Sequence, residues 1–176
     1  RGFDYCIVGL NEKDVNNKAH INEFGFNVLE KSRKNIFLGQ YLSIIQHPDG
    51  KPKKIAFRDS QVEKINNNFI HYSTDTMEGS SGSPVLNDNW KVVALHRSGV
   101  PAKNSKGQIL LSKGGVYTSK KDKPYIIHIS NQGVIIDAIL DHLYRNRLAP
   151  AHEPLKEVLL KSYLSDMEEG RYRLPS

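Results

Sequence analysis

Short apolar runs separated by turn residues occupy the middle of the chain. Runs of about four to eight residues bounded by glycine, proline, asparagine or aspartate are typical of β-strands. The predicted strands are residues 41–46, 54–58, 62–65, 69–72, 84–86, 92–96 and 125–129. Many short strands at this close spacing favour an antiparallel β-barrel.

The hydrophobic period changes near residue 131, where the pattern becomes helical. One face of this predicted helix carries Val134, Ile135, Ala138, Ile139, His142 and Leu143, and its predicted N-cap is Asn131. The proline-containing segment 148–154 ends it. A second amphipathic helix follows, with Leu155, Val158, Leu159, Ser162, Tyr163 and Met167 on one side. Residues 11–39 are polar and predict a connection.

The loop over residues 75–85 carries the candidate chemistry and reads DTMEGSSGSPV. Gly79 allows a turn in which successive N–H groups point into one pocket. Ser81 then presents its hydroxyl over that pocket, and Gly82 leaves the space beside it open. The alternative interpretation is a serine- and glycine-rich hairpin turn without chemistry.

The segments around this loop resemble those of the chymotrypsin-like serine peptidases, and in particular their bacterial trypsin-like and glutamyl-endopeptidase-like members. Residues 3–10 (FDYCIVGL) are similar to the strand that carries the triad aspartate. Residues 41–50 (YLSIIQHPDG) resemble the strand and turn that open the second barrel, and residues 91–99 (KVVALHRSG) resemble a wall of the specificity pocket.

The resemblance implies a mostly β, chymotrypsin-like fold with C-terminal helices. Residues 1–39 would be the remainder of the first barrel and the connection between barrels. Residues 40–148 would form the complete second barrel with the nucleophile loop and a C-terminal helix. Residues 149–176 would be an extra C-terminal helix or linker.

A serine endopeptidase with a Ser-His-Asp triad is the activity that the resemblance implies. Ser81 would be the nucleophile, Asp4 would orient the base, and the N–H groups of Gly79 and Ser81 would form the oxyanion hole. In the family the histidine precedes the aspartate, but no histidine precedes Asp4 here. We therefore expect the base on an upstream segment outside these residues. The alternative is a non-catalytic module that binds a peptide or partner.

The predicted specificity pocket contains residues that favour opposite substrates. Its predicted members are Asp75, Thr76, His96, Ser98 and Gly99. Thr76 and His96 match the hydroxyl and histidine that contact an acidic side chain in glutamyl endopeptidases, and both can donate hydrogen bonds to a carboxylate. Asp75 matches the pocket floor of trypsin, which pairs with lysine or arginine. Both specificities stay open, with the Thr76–His96 pair slightly favoured.

The charge of the chain is positive and concentrated in one loop. The formal net charge is +6, and the stretch between Pro101 and Pro124 contains Lys103, Lys106, Lys113, Lys120, Lys121 and Lys123 against Asp122 alone. This pattern predicts a mobile solvated loop or a binding site for acidic partners. Basic and aromatic residues do not alternate regularly, so nucleic-acid binding is not expected.

The single cysteine, Cys6, lies in an apolar run and is predicted to be a buried small residue. One cysteine forms no internal disulfide, which favours a cytoplasmic over a secreted protein. No apolar run approaches the ~20 residues of a membrane span. The expected partners are a protein or peptide substrate, the upstream segment with the histidine, and further domains or an oligomer. Neither a metal nor a cofactor is expected.

Overall fold

The computed structural model describes residues 3–31, 33–73 and 79–168. Six antiparallel strands form a closed barrel, in the order β1-β2-β3-β6-β5-β4. The strands are β1 (Tyr41–Gln46), β2 (Lys54–Ile65), β3 (Phe69–Tyr72), β4 (Pro84–Leu86), β5 (Val92–Pro101) and β6 (His128–Ile135). Two α-helices follow, α1 (Ile136–Arg145) and α2 (Glu153–Glu168). The predicted mostly β fold with a barrel and C-terminal helices is therefore confirmed.

Short 3₁₀ helices interrupt the connections. They are Ile21–Glu23, Arg33–Asn35, Pro48–Gly50, Lys120–Tyr125 and Pro150–His152. Among the described residues, no helix is long and apolar enough to cross a membrane.

The apolar core of the barrel consists of aliphatic side chains and one tyrosine. Its buried residues include Leu42, Ile44, Val62, Ile70, Tyr72, Val85, Val93 and Ile135. In β3 they alternate with half-buried residues, since successive side chains of a strand point to opposite faces. Gly133 on β6 leaves room for the tyrosine, because a Cβ atom there would lie 3.3 Å from Cε1 of Tyr72 and 3.1 Å from Cβ of Ala94.

The structure corrects the strand predictions for β2 and β6. The predicted strands 54–58 and 62–65 form one strand, β2, in which Arg58 has a φ of +51° and the register to β1 shifts. The strand predicted at 125–129 is wrong for its first residues, because Lys120–Tyr125 is a 3₁₀ helix and β6 begins at His128.

The predicted N-cap of the first helix is also wrong. Asn131 lies within β6, where it pairs with Gly99 of β5 and Tyr72 of β3. Pairing with two neighbouring strands extends β6 to Ile135, so helix α1 begins only at Ile136. Tertiary pairing therefore overrides the local helical pattern in this segment.

Helix α1 covers the outside of the barrel and holds the N-terminal segment. Its buried face belongs to a second apolar cluster with Leu86, Val92, Val134, Ile139, Leu140, Leu143 and Leu160. Tyr5 packs against this cluster, and its hydroxyl lies 2.8 Å from Nδ1 of His142. Phe3 contacts the same histidine edge to face, with 5.2 Å between ring centroids.

The segment 3–10 does not form the predicted strand. In its described part this N-terminal region has a single β-bridge, between Lys13 and His20. Without a neighbouring strand, Ile7, Val8 and Leu10 are exposed. Cys6 is exposed as well, so the prediction of a buried cysteine is wrong for the same reason.

The glycines of the lysine-rich loop after β5 predict mobility, but hydrogen bonds to Asp122 connect several parts of this loop. The Asp122 carboxylate accepts hydrogen bonds from Nζ of Lys113, from the N–H and hydroxyl of Thr118, and from the N–H of Ser119. The bond from Lys113, followed by those from Thr118 and Ser119, holds the pKa of Asp122 well below its usual range. The one acid among the lysines therefore closes the loop on itself.

Candidate active site

The nucleophile loop is a tight turn that displays Ser81. The Ser83 N–H donates to the Ser80 carbonyl at 3.1 Å, so Ser80 to Ser83 form one β-turn. Gly82, at its third position, has a φ of +86°, as a type II turn requires. Ser81 occupies the second position and is exposed, whereas Ser80 is fully buried.

Gly79 enters this turn with a φ of +92° and lies against the turn after β1. A Cβ atom at Gly79 would lie 3.0 Å from the carbonyl oxygen of His47 and 3.3 Å from the amide nitrogen of Gly50. The position therefore needs glycine both for its backbone conformation and for its close approach to the neighbouring turn. Asp75 and Thr76, which precede it, lie outside the described residues, so their pocket roles stay predictions.

The loop is attached to β5 by its backbone. The Gly82 N–H donates to the His96 carbonyl at 2.8 Å, and the His96 N–H donates to the Ser83 carbonyl at 2.9 Å. The Ser81 hydroxyl donates to the carbonyl oxygen of Arg97 at 2.9 Å. Three hydrogen bonds, two between backbone groups and one from a side chain, thus bring the predicted nucleophile and the predicted pocket wall together.

The predicted oxyanion donors are the N–H groups of Gly79 and Ser81. Neither the Gly79 nor the Ser81 N–H donates to a backbone carbonyl within the described chain. The Ser80 hydroxyl, which is buried between them, also lacks a hydrogen-bond partner in the described part. The oxyanion hole therefore stays a prediction.

Two of the predicted pocket residues lie on the outer part of β5. Ser98 is exposed and pairs with Gln132, whereas Gly99 is half-buried and pairs with Asn131. A Cβ atom at Gly99 would lie 2.5 Å from Cδ2 of His128, so the imidazole of His128 occupies the space beside this glycine. The sequence analysis missed His128, because only the register between β5 and β6 reveals the contact.

His96 is buried in the barrel and bonded to Tyr72. The Tyr72 hydroxyl lies 2.7 Å from Nδ1 of His96, and the two side chains are 0% and 3% exposed. Burial lowers the pKa of His96 to about 4 and raises the pKa of Tyr72 well above its usual value. At neutral pH both groups are therefore uncharged.

Asp4 is exposed and lies at the start of the described chain, with a φ of +55°. The preceding Phe3 contacts Phe69 with 6.2 Å between ring centroids, and the Arg97 guanidinium lies 5.6 Å from the centroid of the same Phe69 ring. Since Ser81 is bonded to the backbone of Arg97, the N-terminal segment and the nucleophile loop reach the same part of β5. The role of Asp4 stays a prediction.

Four other described histidines make contacts away from Ser81. Nδ1 of His20 accepts from the N–H of Asn22, and Nδ1 of His47 contacts the carbonyl of Lys51. His71 lies between the side-chain amides of Asn66 and Gln132. His142 contacts Tyr5, as described above. Within residues 3–31, 33–73 and 79–168, no cluster of three or more histidine, cysteine or acidic residues could hold a metal ion.

The part of the chain that contains strands β1 to β4 and the exposed serine turn matches a known protein family. A family model described as a trypsin-like peptidase domain matches residues 2–95. The chain belongs to this trypsin-like peptidase domain family.

The chain is also similar to an individual protein and to a solved structure. The chain is 34% identical over 165 residues to the uncharacterized protein y4fB of Sinorhizobium fredii, an alignment that covers 84% of this chain and 24% of that protein. It therefore spans about a quarter of the length of this relative. A solved structure of a Glu endopeptidase in complex with MPD matches with a TM-score of 0.44 and 19% sequence identity, over 70% of this chain and 48% of that chain.

Proposed function

We propose that this chain carries the nucleophile of a serine endopeptidase, which hydrolyses peptide bonds through a Ser-His-Asp triad. The observation that supports this most is the turn around Ser81. It exposes one hydroxyl, holds it at the pocket-wall strand β5, and leaves two neighbouring N–H groups unbonded to described carbonyls. A hairpin turn without chemistry needs none of these three features.

In this proposal Ser81 changes its hydrogen-bond partner during the reaction. At rest its hydroxyl donates to the Arg97 carbonyl. For attack, the hydroxyl turns to a histidine base, which accepts the proton as Oγ bonds to the scissile carbonyl carbon. The N–H groups of Gly79 and Ser81 stabilise the resulting oxyanion. The base then returns the proton to the leaving amine, and Asp4 orients the base throughout.

The base itself is a histidine outside these residues. Among the described histidines, none is hydrogen-bonded to Ser81, and the ring of His96 is buried against Tyr72. In the family, the histidine base precedes the triad aspartate along the chain. Asp4 lies near β5, because its neighbour Phe3 contacts the Phe69 ring, which the Arg97 guanidinium also contacts.

The specificity that we propose is for an acidic residue on the acyl side of the cut. His96 is the buried polar side chain of the strand that carries Ser98 and Gly99, and an imidazole can donate a hydrogen bond to a carboxylate. Cleavage after lysine or arginine is the competing outcome, in which Asp75 would form the pocket floor. A peptide library varied at that one position separates the two.

Covalent labelling tests the proposed activity. A fluorophosphonate probe is added to the longer protein that includes the upstream segment, as wild type, as Ser81→Ala and as Ser105→Ala. Ser105 is a matched control, because it is an exposed serine in the distant loop after β5. We expect labelling of the wild type and of Ser105→Ala, and none of Ser81→Ala. A folded wild type that takes up no probe would instead favour a non-catalytic peptide-binding module.

A further inference from the structure

The lysine-rich loop, residues 102–127, joins β5 to β6 and is folded onto the ends of these strands. The Ala102 N–H donates to the Ile127 carbonyl at 2.8 Å, which continues the pairing between the strands. One residue further along, Lys103 forms a β-bridge with Ile109. Backbone hydrogen bonds therefore anchor the loop to this end of the barrel.

The loop presents a surplus of positive charge to solvent. Its one acid, Asp122, is buried and accepts hydrogen bonds from Nζ of Lys113, from Thr118 and from Ser119, so it balances one lysine inside the loop. Lysine side chains carry a positive charge at neutral pH. Four exposed lysines of the loop form no ion pair within the part of the chain that the structure describes, and these are Lys103, Lys106, Lys120 and Lys121.

The loop follows directly from the strand that holds Ser81. One edge of β5 pairs with β6 from Ser98 to Pro101. The opposite edge pairs with β4 only as far as Leu95 and then with the serine turn, so no described strand covers it beyond Arg97. The Arg97 carbonyl, which accepts from Ser81, faces this open edge. An open strand edge can pair with an extended peptide.

The length of this edge suits an extended substrate. Strand β5 ends at Pro101, about 13 Å beyond Arg97 at ~3.3 Å per residue. A peptide lying along the edge therefore reaches the loop about four to six residues from the cut. The pocket that we propose for the acyl-side residue is also on β5, so the residues that precede this one in the substrate follow the same strand toward the lysines.

We propose that the lysine-rich loop binds an acidic stretch of the protein substrate, on the acyl side of the cut. This proposal rests on the proposed function and adds a second contact surface to its pocket. A run of glutamates or aspartates offers carboxylates to the exposed ammonium groups while its backbone continues along β5.

The composition of the loop favours an acidic polypeptide over a nucleic acid. Residues 102–127 contain no arginine, which is the side chain that binds phosphate through two parallel hydrogen bonds. Single-stranded nucleic acids also need exposed aromatic faces on which bases stack. Nζ of Lys113 already lies 4.3 Å from the centroid of the Tyr125 ring and occupies one such face.

A binding measurement tests the recognition of charge without catalysis. The longer protein with the upstream segment, as Ser81→Ala, is titrated into a fluorescent peptide that carries a run of glutamates. We expect binding that weakens with added salt, and a Kd roughly tenfold higher for Lys120→Glu/Lys121→Glu. The charge-conserving Lys120→Arg/Lys121→Arg should bind like the parent. The matched control is Lys34→Glu/Lys161→Glu, which changes the net charge equally at exposed lysines outside the loop.

Peptide kinetics test the position of the acidic stretch. Two substrates of the same composition carry the glutamates about four to eight residues before the cut or equally far after it. We expect the first substrate to have a KM roughly tenfold lower in the wild type. Lys120→Glu/Lys121→Glu should remove this difference and leave kcat unchanged.

Several results would overturn the proposal. One is an equal Kd for Lys120→Glu/Lys121→Glu and the control pair, and another is an equal KM for the two substrates in the wild type. A third is tighter binding of a single-stranded oligonucleotide than of the glutamate peptide. If the first variant does not fold, Lys103→Glu/Lys106→Glu is judged by the same criteria. A wild type that cuts no peptide but binds the glutamates through these lysines instead overturns the proposed function and leaves the loop as a surface for acidic polypeptides.

Discussion

The hydroxyl of Ser81 donates to the backbone carbonyl of Arg97 at 2.9 Å, and this bond ties the proposed nucleophile directly to strand β5. The geometry describes a resting state, since a serine whose hydrogen is given to a carbonyl is not yet an activated nucleophile. Activation requires a base that competes with Arg97 for this hydrogen.

The first prediction concerns the group that would orient this base. Asp4→Asn should lower kcat of the full-length protein by roughly 10⁴-fold near neutral pH, because the base loses the carboxylate that sets its tautomer. Steady-state hydrolysis of a peptide substrate measures the loss. Glu12→Gln is the control, since Glu12 is an exposed acid of the same N-terminal segment. Near-wild-type turnover of a folded Asp4→Asn protein would show that Asp4 is only a surface residue.

The second prediction compares two glycines that share a positive φ but differ in their surroundings. Gly79 meets the His47 carbonyl, whereas Gly107 has open space around its Cβ position. Gly107→Ala should cost only the backbone strain of a left-handed alanine, about 1–2 kcal/mol. Gly79→Ala should cost more and should also abolish fluorophosphonate labelling, because the loop must move away from residues 47–50. Equal costs and retained labelling would contradict the proposed geometry.

The third prediction concerns the contact between Gly99 and His128. Gly99→Ala should lower the free energy of unfolding by about 0.5–1.5 kcal/mol, because the new methyl group forces the exposed imidazole of His128 out of its rotamer. Removing the ring with His128→Ala should recover most of this loss in the double variant. Chemical denaturation of the four proteins gives the coupling energy. Additive effects would mean that the two side chains do not share this space.

The fourth prediction is a dependence of stability on pH through His96. Its pKa falls to about 4 in the folded state from an ordinary value of 6.5, so the unfolded chain binds the proton more readily. The neutral His96 side chain makes its full contribution to the free energy of unfolding above pH 6.5. As the pH falls toward 4, this contribution is lost, by up to about 3 kcal/mol. Denaturant titrations at about pH 7.5, 5.5 and 4.5 measure how the free energy of unfolding changes with pH. His96→Gln should show a shallower slope, and an identical slope would assign the effect to other groups.

The sequence predicts the local elements of the barrel well where strand ends coincide with turn residues. Residues 41–46, 69–72 and 84–86 are strands with the predicted bounds. Turn residues lie next to these runs, such as Pro48 after the first, Asn68 before the second and Asn87 after the third. Strand β6 was only partly predicted, since its second half, up to Ile135, has the period of a helix and becomes a strand only by pairing with β3 and β5.

In the candidate site too, features set by neighbouring residues could be predicted, whereas contacts set by strand pairing could not. The turn around Ser81 could be predicted because Gly79 and Gly82 lie within two residues of the serine in the sequence. The partners of the pocket wall could not, since Tyr72 and His128 reach His96 and Gly99 through strand register over long separations along the chain. Cys6 shows the converse error, because an apolar run predicts burial only when another element covers it.

The place of β6 in the barrel also sets when the contact between Tyr72 and His96 can form during folding. Strands β3 and β5 are complete by Pro101, yet β6, which lies between them, begins only at His128. A chain emerging from the ribosome therefore presents Tyr72 and His96 well before the strand that brings them together. Pairings between strands so far apart in sequence form late and slowly. The bonded Tyr72–His96 pair consequently exists only in chains that have closed the barrel.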